Sequence, residues 1–144
     1  MCRTPEGTAR TAPEPMARPR LLPQVPSSPL TPPRPVIGLI GDGSSQYSVQ
    51  SLWTAAQHKL PIVYVIMRNN EYSILKSFAV LEETPGVPGL DLPGLGIAAM
   101  ARGWGCRAVD VETSEDLEQE LKTALGEDTT TVIVVRTQPQ QAML

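Results

Sequence analysis

Asp42 stands between Gly41 and Gly43, directly after the apolar run Val36-Ile-Gly-Leu-Ile40. Asn69 and Asn70 follow a second such run, Ile62-Val-Tyr-Val-Ile-Met67, with only Arg68 between. A carboxylate offers a cation a hard, charged oxygen, and an amide side chain offers a neutral one. With the oxygens of a diphosphate they make the octahedral oxygen shell that Mg²⁺ requires, the protein giving few ligands and the phosphate the rest. Glycines beside Asp42 leave the backbone open to close approach by a phosphate or a metal ion.

For that chemistry both polar strand ends must lie together, and in an open α/β sheet ligands bind at the carboxyl edge of the strands. The two apolar runs read as buried parallel strands, the second β-branched almost throughout. Between them Ser44 and Ser45 are candidate helix N-caps. Val49, Leu52, Trp53 and Ala56 recur at three- and four-residue steps, which predicts one buried helical face, and Leu60-Pro61 ends that helix. Tyr72 to Phe78 predicts a short helix. Residues 79–95 hold Pro85, Gly86, Pro88, Gly89, Pro93 and Gly94, which predicts a long loop of functional length. Ile97 to Trp104 predicts a helix with Gly105 at its C-terminal end, and Arg107 to Val111 a strand. Thr113-Ser-Glu-Asp116 has the form of a capping box; Leu117, Leu121, Ala124 and Leu125 share a face, Gly126 ends the helix, and Thr131 to Arg136 is the last strand. Alternating strands and helices predict an α/β domain, a parallel sheet with helices on both faces.

Composition divides the chain in two. Ten of its 15 prolines fall within residues 1–35, where five arginines face two glutamates, a net of +3; the other 109 residues carry 7 basic and 13 acidic side chains, a net of −6. The Pro/Arg-rich residues 1–34 lack an apolar face and are expected to be disordered, leaving a folded unit over 35–137 and a short tail, 138–144. Within the first stretch Arg20-x-x-Pro23-x-x-Pro26 has a proline-motif spacing that such a composition produces unaided. No apolar run approaches the roughly 18 residues of a membrane span, and no signal-peptide core follows the N-terminus. Two cysteines, Cys2 and Cys106, form no disulfide framework, which suits the cytoplasm. Net acidity and six aromatic residues argue against nucleic acid. His58 reads as a solvated helix-end residue, Glu82-Glu83 as a solvated loop pair, and Glu115, Asp116, Glu118 and Glu120 as an outer helix face. Trp53, Trp104 and Phe78 are core residues by default, with a site role open only for Phe78.

Gly41-Asp42-Gly43 and Asn69-Asn70, with 25 residues between Gly43 and Asn69, resemble the signature of thiamine-diphosphate (ThDP) dependent enzymes. Gly41-Asp-Gly-Ser-Ser-Gln-Tyr-Ser48, Leu52-Trp-Thr-Ala-Ala56 and Val87-Pro-Gly-Leu-Asp-Leu-Pro-Gly94 extend the resemblance to the benzoylformate decarboxylase family, over about 35–137. The resemblance implies Mg²⁺ held by Asp42, Asn69 and the backbone carbonyl of Glu71. It implies diphosphate contacts from Ser44, from the backbone at Gly41 and Gly43, and from the N-terminal amides of the helix opened by Tyr72, Ser73, Ile74 and Leu75. Tyr47 would lie beside the cofactor, and Ile74, Leu75 and Phe78 on the substrate side. Asn70 and Glu71 stand where the family has Gly and Thr, and Ile74 where it has a smaller residue, a change that would narrow the pocket.

The family's reaction is loss of carboxylate from a 2-oxo acid, with ThDP as electron sink. Its activating glutamate lies on a pyrimidine-binding domain, and its proton-handling histidines and serine lie far upstream; the resemblance places none of them here, so no catalytic residue is assigned. It implies a binding module, incomplete at the N-terminal edge of its sheet and inactive alone. Its partner would be a pyrimidine-binding domain on another chain or segment, in a homo-oligomer. An acetolactate-synthase-like carboligase fragment, or a non-catalytic truncated remnant, fits the same residues.

Overall fold

The computed structural model of the protein describes residues 34–138. The expected disordered stretch and C-terminal tail lie outside the described residues, but for Arg34 and Gln138. Four strands form one parallel sheet: β1 (Val36–Gly41), β2 (Ile62–Arg68), β3 (Arg107–Val111) and β4 (Thr131–Arg136), in the order β1-β2-β4-β3. The helices are α1 (Asp42–Ser45), α2 (Ser51–Gln57), α3 (Ser73–Leu81), α4 (Ile97–Gly103) and α5 (Ser114–Leu125).

The crossover order fixes which helix covers which face. Steps from β1 to β2 and from β2 to β3 run one way across the sheet, and the step from β3 to β4 runs back. Right-handed crossovers then put α2 and α4 on one face and α5 on the other. The packing agrees. Leu52, Ala55, Ile97, Ala98 and Ala101 meet Tyr64, Ile66, Val132 and Val134 on the first face. Ala124, Leu117 and Leu121 meet Val63, Val65 and Ile133 on the second. The expected α/β architecture, parallel with helices on both faces, is the one observed. Each fully buried valine or isoleucine in β2 and β4 contributes roughly 1.5–3 kcal/mol. Burial also pushes the Tyr64 phenol up to about 12, with Cys106 adding to the shift.

Several local expectations are corrected. Ser44 and Ser45 lie inside α1, and Gly41 is its N-cap, because the chain turns helical at Asp42 itself. On α2 the contact line runs through Leu52 and Ala55, with Val49 and Ala56 partly buried. Trp53, about 100° further round, is 50% exposed. Trp104 and Phe78 are not core either, at 38% and 53% exposed. α3 continues to Leu81, so the loop begins at Glu82 rather than at residue 79. Leu125 is exposed at the end of α5, beyond the line of Leu117, Leu121 and Ala124. Thr113 caps α5 as expected, its hydroxyl accepting from the Asp116 N–H at 3.1 Å. Gly105, with φ of 89°, takes the left-handed conformation that follows α4.

β1 is an edge strand among the described residues. Its even-numbered side chains face the α2–α4 layer, while Ile37 (52% exposed) and Leu39 (71%) lie on the α5 face, which α5 does not reach. No described helix is long and apolar enough to cross a membrane.

Candidate functional site

β1 and β2 are hydrogen-bonded neighbours in parallel register, Gly41 opposite Met67, so their carboxyl ends emerge side by side. Asp42 and the 69–72 turn therefore meet. Asp42 is 2% exposed. Its Oδ1 accepts the Gly43 N–H at 2.8 Å and its Oδ2 accepts the Asn70 N–H at 2.7 Å. Among the described residues no lysine, arginine or histidine pairs with it. A buried carboxylate held only by backbone dipoles is a charge that a bound cation would compensate.

The turn is over-determined. Asn69 Nδ2 donates to the Ser73 hydroxyl at 2.6 Å, and Asn69 Oδ1 accepts the Glu71 N–H at 3.1 Å. That oxygen keeps a second lone pair for a metal. Asn70 adopts φ of 60°. Asparagine is among the few non-glycine residues that take this left-handed state readily. The loop returns to the turn: Tyr72 N–H donates to the Leu90 carbonyl and Leu92 N–H to the Asn70 carbonyl, both at 2.8 Å.

Gly43 has a different reason from the one expected. A Cβ there would meet Tyr72 Cε1 at 2.4 Å and Cδ1 at 2.7 Å. The tyrosine ring, rather than open space, occupies the face of Gly43. A Cβ on Gly41 would meet only Ser44 Oγ, at 4.0 Å, and that side remains open. Ser44 lines a cavity of about 30 Å³, closed below by Ile40, Leu52, Tyr64 and Ile66. That is room for one water molecule. α3 starts at Ser73 with no side-chain cap on its N-terminus. Tyr47, in the turn after α1, is 67% exposed.

The expected substrate-side residues divide. Leu75 and Phe78 line an open groove of about 300 Å³ between α3 and the following loop, with Val87 and Leu90 opposite. Ile74 is 62% exposed and is not part of that groove. Two residues not foreseen join the site. Lys76 Nζ lies 2.6 Å from both Glu71 Oε2 and Asp91 Oδ1, and these bonds raise the pKa of its ammonium, Asp91 contributing most. The charges were visible in the sequence, but the fold of the 82–96 loop that brings Asp91 to Glu71 was not.

Fold and site together define a parallel α/β module whose carboxyl edge presents a buried carboxylate and an amide oxygen beside a helix N-terminus. Residues 24–135 match the family of the thiamine pyrophosphate enzyme C-terminal TPP binding domain, and the chain belongs to it. It is 49% identical over 107 residues to benzoylformate decarboxylase of Pseudomonas aeruginosa, an alignment covering 74% of this chain and 20% of that protein. The crystal structure of benzoylformate decarboxylase from Polynucleobacter necessarius superposes with a TM-score of 0.74 at 49% identity, covering 77% of this chain and 21% of that one. A thiamine diphosphate-dependent 4-hydroxybenzoylformate decarboxylase of Rhodococcus jostii RHA1 gives a TM-score of 0.72 at 45% identity, over 74% of this chain and 20% of that one. The chain thus spans about a fifth of the length of the relatives it matches. The family's cofactor is thiamine diphosphate, with Mg²⁺ its usual partner metal.

Proposed function

We propose that the chain binds Mg²⁺–thiamine diphosphate at the carboxyl ends of β1 and β2, as the diphosphate-binding part of a benzoylformate-decarboxylase-like enzyme. The observation that carries this reading is Asp42: a carboxylate 2% exposed, bonded to two backbone amides and paired with no cationic side chain among the described residues. Asp42, Asn69 and the carbonyl of Glu71 are its metal ligands. Ser44, the Gly41 backbone and the Ser73–Leu75 amides hold the diphosphate, whose negative charge the uncapped α3 N-terminus favours. Tyr47 and Tyr72 flank the cofactor, and Leu75 and Phe78 border the substrate.

Bound thiamine diphosphate supplies an electron sink for carboxylate loss from a 2-oxo acid. The residues of this chain bind and orient; none is assigned a proton. Activation of the cofactor belongs to a carboxylate on a pyrimidine-binding domain, on another chain or segment, within a homo-oligomer. A cytoplasmic location accords with the buried free thiol of Cys106.

Calorimetry with Mg²⁺–thiamine diphosphate tests the site. Asp42→Ala is expected to abolish measurable binding, since only neutral protein oxygens then face the cation, while His58→Ala, exposed at the end of α2, retains it. Equal affinity in the wild type and Asp42→Ala would overturn the assignment.

A further inference from the structure

Glu71 and Asp91 form an isolated antiparallel bridge that joins the 69–72 turn to the loop after α3. The two hydrogen bonds around it, Tyr72 N–H to Leu90 and Leu92 N–H to Asn70, come from the flanking residues. Glu71 and Asp91 are therefore a non-hydrogen-bonded pair, the kind whose side chains approach most closely. Like charges directly opposite one another at such a pair drive the strands apart. Here the repulsion is cancelled by one group: Lys76 Nζ, 2.6 Å from a carboxylate oxygen of each. Lys76 reaches both from the first turn of α3, where its own N–H donates to the Tyr72 carbonyl at 3.0 Å. The Glu71 side chain is 10% exposed, so its charge is poorly screened by solvent.

We propose that Lys76 is a positioning residue: it locks the 69–72 turn to the 90–92 segment and so sets Asn69 and Glu71 for the metal. This rests on the cofactor reading given above. Its effect is both geometric and electrostatic. Without Lys76, the bridge opposes two bare carboxylates and the turn loses its outer support. Glu71 also adds an uncancelled negative charge one residue from Asn70, whose N–H binds Asp42. A diphosphate would then be repelled at the site that has to hold it.

The test uses the full 144-residue chain as wild type, Lys76→Met, Lys76→Arg and Lys76→Met with Asp91→Asn. Hydrogen exchange is followed at Tyr72 and Leu92, with Val65 and Ile133 as core references. In Lys76→Met the two bridge amides are expected to exchange about tenfold faster, the scale of two charge-assisted bonds lost at a partly exposed site. The core amides keep their rates. Calorimetric affinity for Mg²⁺–thiamine diphosphate falls in parallel, Lys76→Arg preserves both readouts, and Asp91→Asn restores part of the affinity lost in Lys76→Met. Unchanged exchange at Tyr72 and Leu92 in Lys76→Met overturns the lock, and faster exchange with unchanged affinity overturns the positioning role. A wild type that binds no cofactor at all refutes the cofactor reading and with it the positioning role, whereas the exchange arm still judges the lock by itself.

Discussion

The ring of Tyr72 lies where a side chain on Gly43 would begin. An ideal Cβ at residue 43 would stand 2.4 Å from Tyr72 Cε1, far inside van der Waals contact. Gly43 follows β1 and Tyr72 follows β2, so this contact, like the Asp42–Asn70 hydrogen bond, joins the ends of the two strands. Gly43→Ala is expected to destabilise the chain by about 1–3 kcal/mol through overpacking. Adding Tyr72→Ala should recover much of that loss, which urea denaturation of the single and double variants would measure. Additive losses would mean that the ring and the glycine do not compete for the same space.

The isolated chain is expected to release no CO₂ from benzoylformate, pyruvate or branched 2-oxo acids at saturating Mg²⁺–thiamine diphosphate. On the cofactor reading proposed above, the residues of this chain would hold only the diphosphate end of the cofactor, and the orientation and activation of its reactive end would come from elsewhere. Positioning of reacting groups is worth on the order of 7–11 kcal/mol, and diphosphate contacts alone do not provide it. Turnover by the purified chain clearly above that of free thiamine diphosphate would show that one of its own groups activates the cofactor.

Alkaline pH should weaken the fold. Burial pushes the Cys106 thiol from its ordinary value of 9.0 up to about 11 and the Tyr64 phenol from 10.0 up to about 12. In both the neutral form is favoured in the folded state, so the unfolded chain ionises first. Stability is therefore intact below pH 9 and is lost as pH rises from 9 toward 12, approaching about 1.4 kcal/mol per pH unit for each group. Denaturant midpoints measured across this range should fall, and a flat profile between pH 9 and 11 would contradict the burial of these groups.

Leu39 offers a solubility test. It is 71% exposed on an edge strand, and β1 presents Ile37 on the same face. Exposed apolar edges pair with other chains. Leu39→Lys should reduce self-association in sedimentation velocity while changing stability by less than about 0.5 kcal/mol. A larger loss of stability would mean that Leu39 is covered in the folded chain.

The strands were legible because each is a short apolar run ended by a polar turn, and all four appear where periodicity puts them. The meeting of Asp42 with the Asn69–Asn70 turn was legible for the same reason: each follows such a run, and parallel neighbours bring their ends together. What escaped was set by contacts between distant segments. Trp53 reads as core by type, yet the sheet meets α2 along Leu52 and Ala55. The role of Gly43 depends on a ring 29 positions away in the chain, Tyr72. Lys76 and Asp91 look like ordinary solvated charges until the loop folds back on the turn. Ile74, expected beside Leu75 and Phe78, falls off the groove because adjacent helical positions face directions about 100° apart.

The strand order has a consequence for how the molecule is made. Of the described strands β4 is synthesised after the other three, yet it sits between β2 and β3, with Val132 and Ile133 wholly buried in the two opposite layers. Until residues 131–136 leave the ribosome, β3 has no neighbour among the described strands and α5 lacks the β4 side chains it packs on. A nascent chain arrested before Thr131 would hold a β1–β2 pair under α2, with Val63 and Val65 bare to water. Chaperones that bind apolar segments would meet this protein in that interval, and the arrival of β4 would end their access.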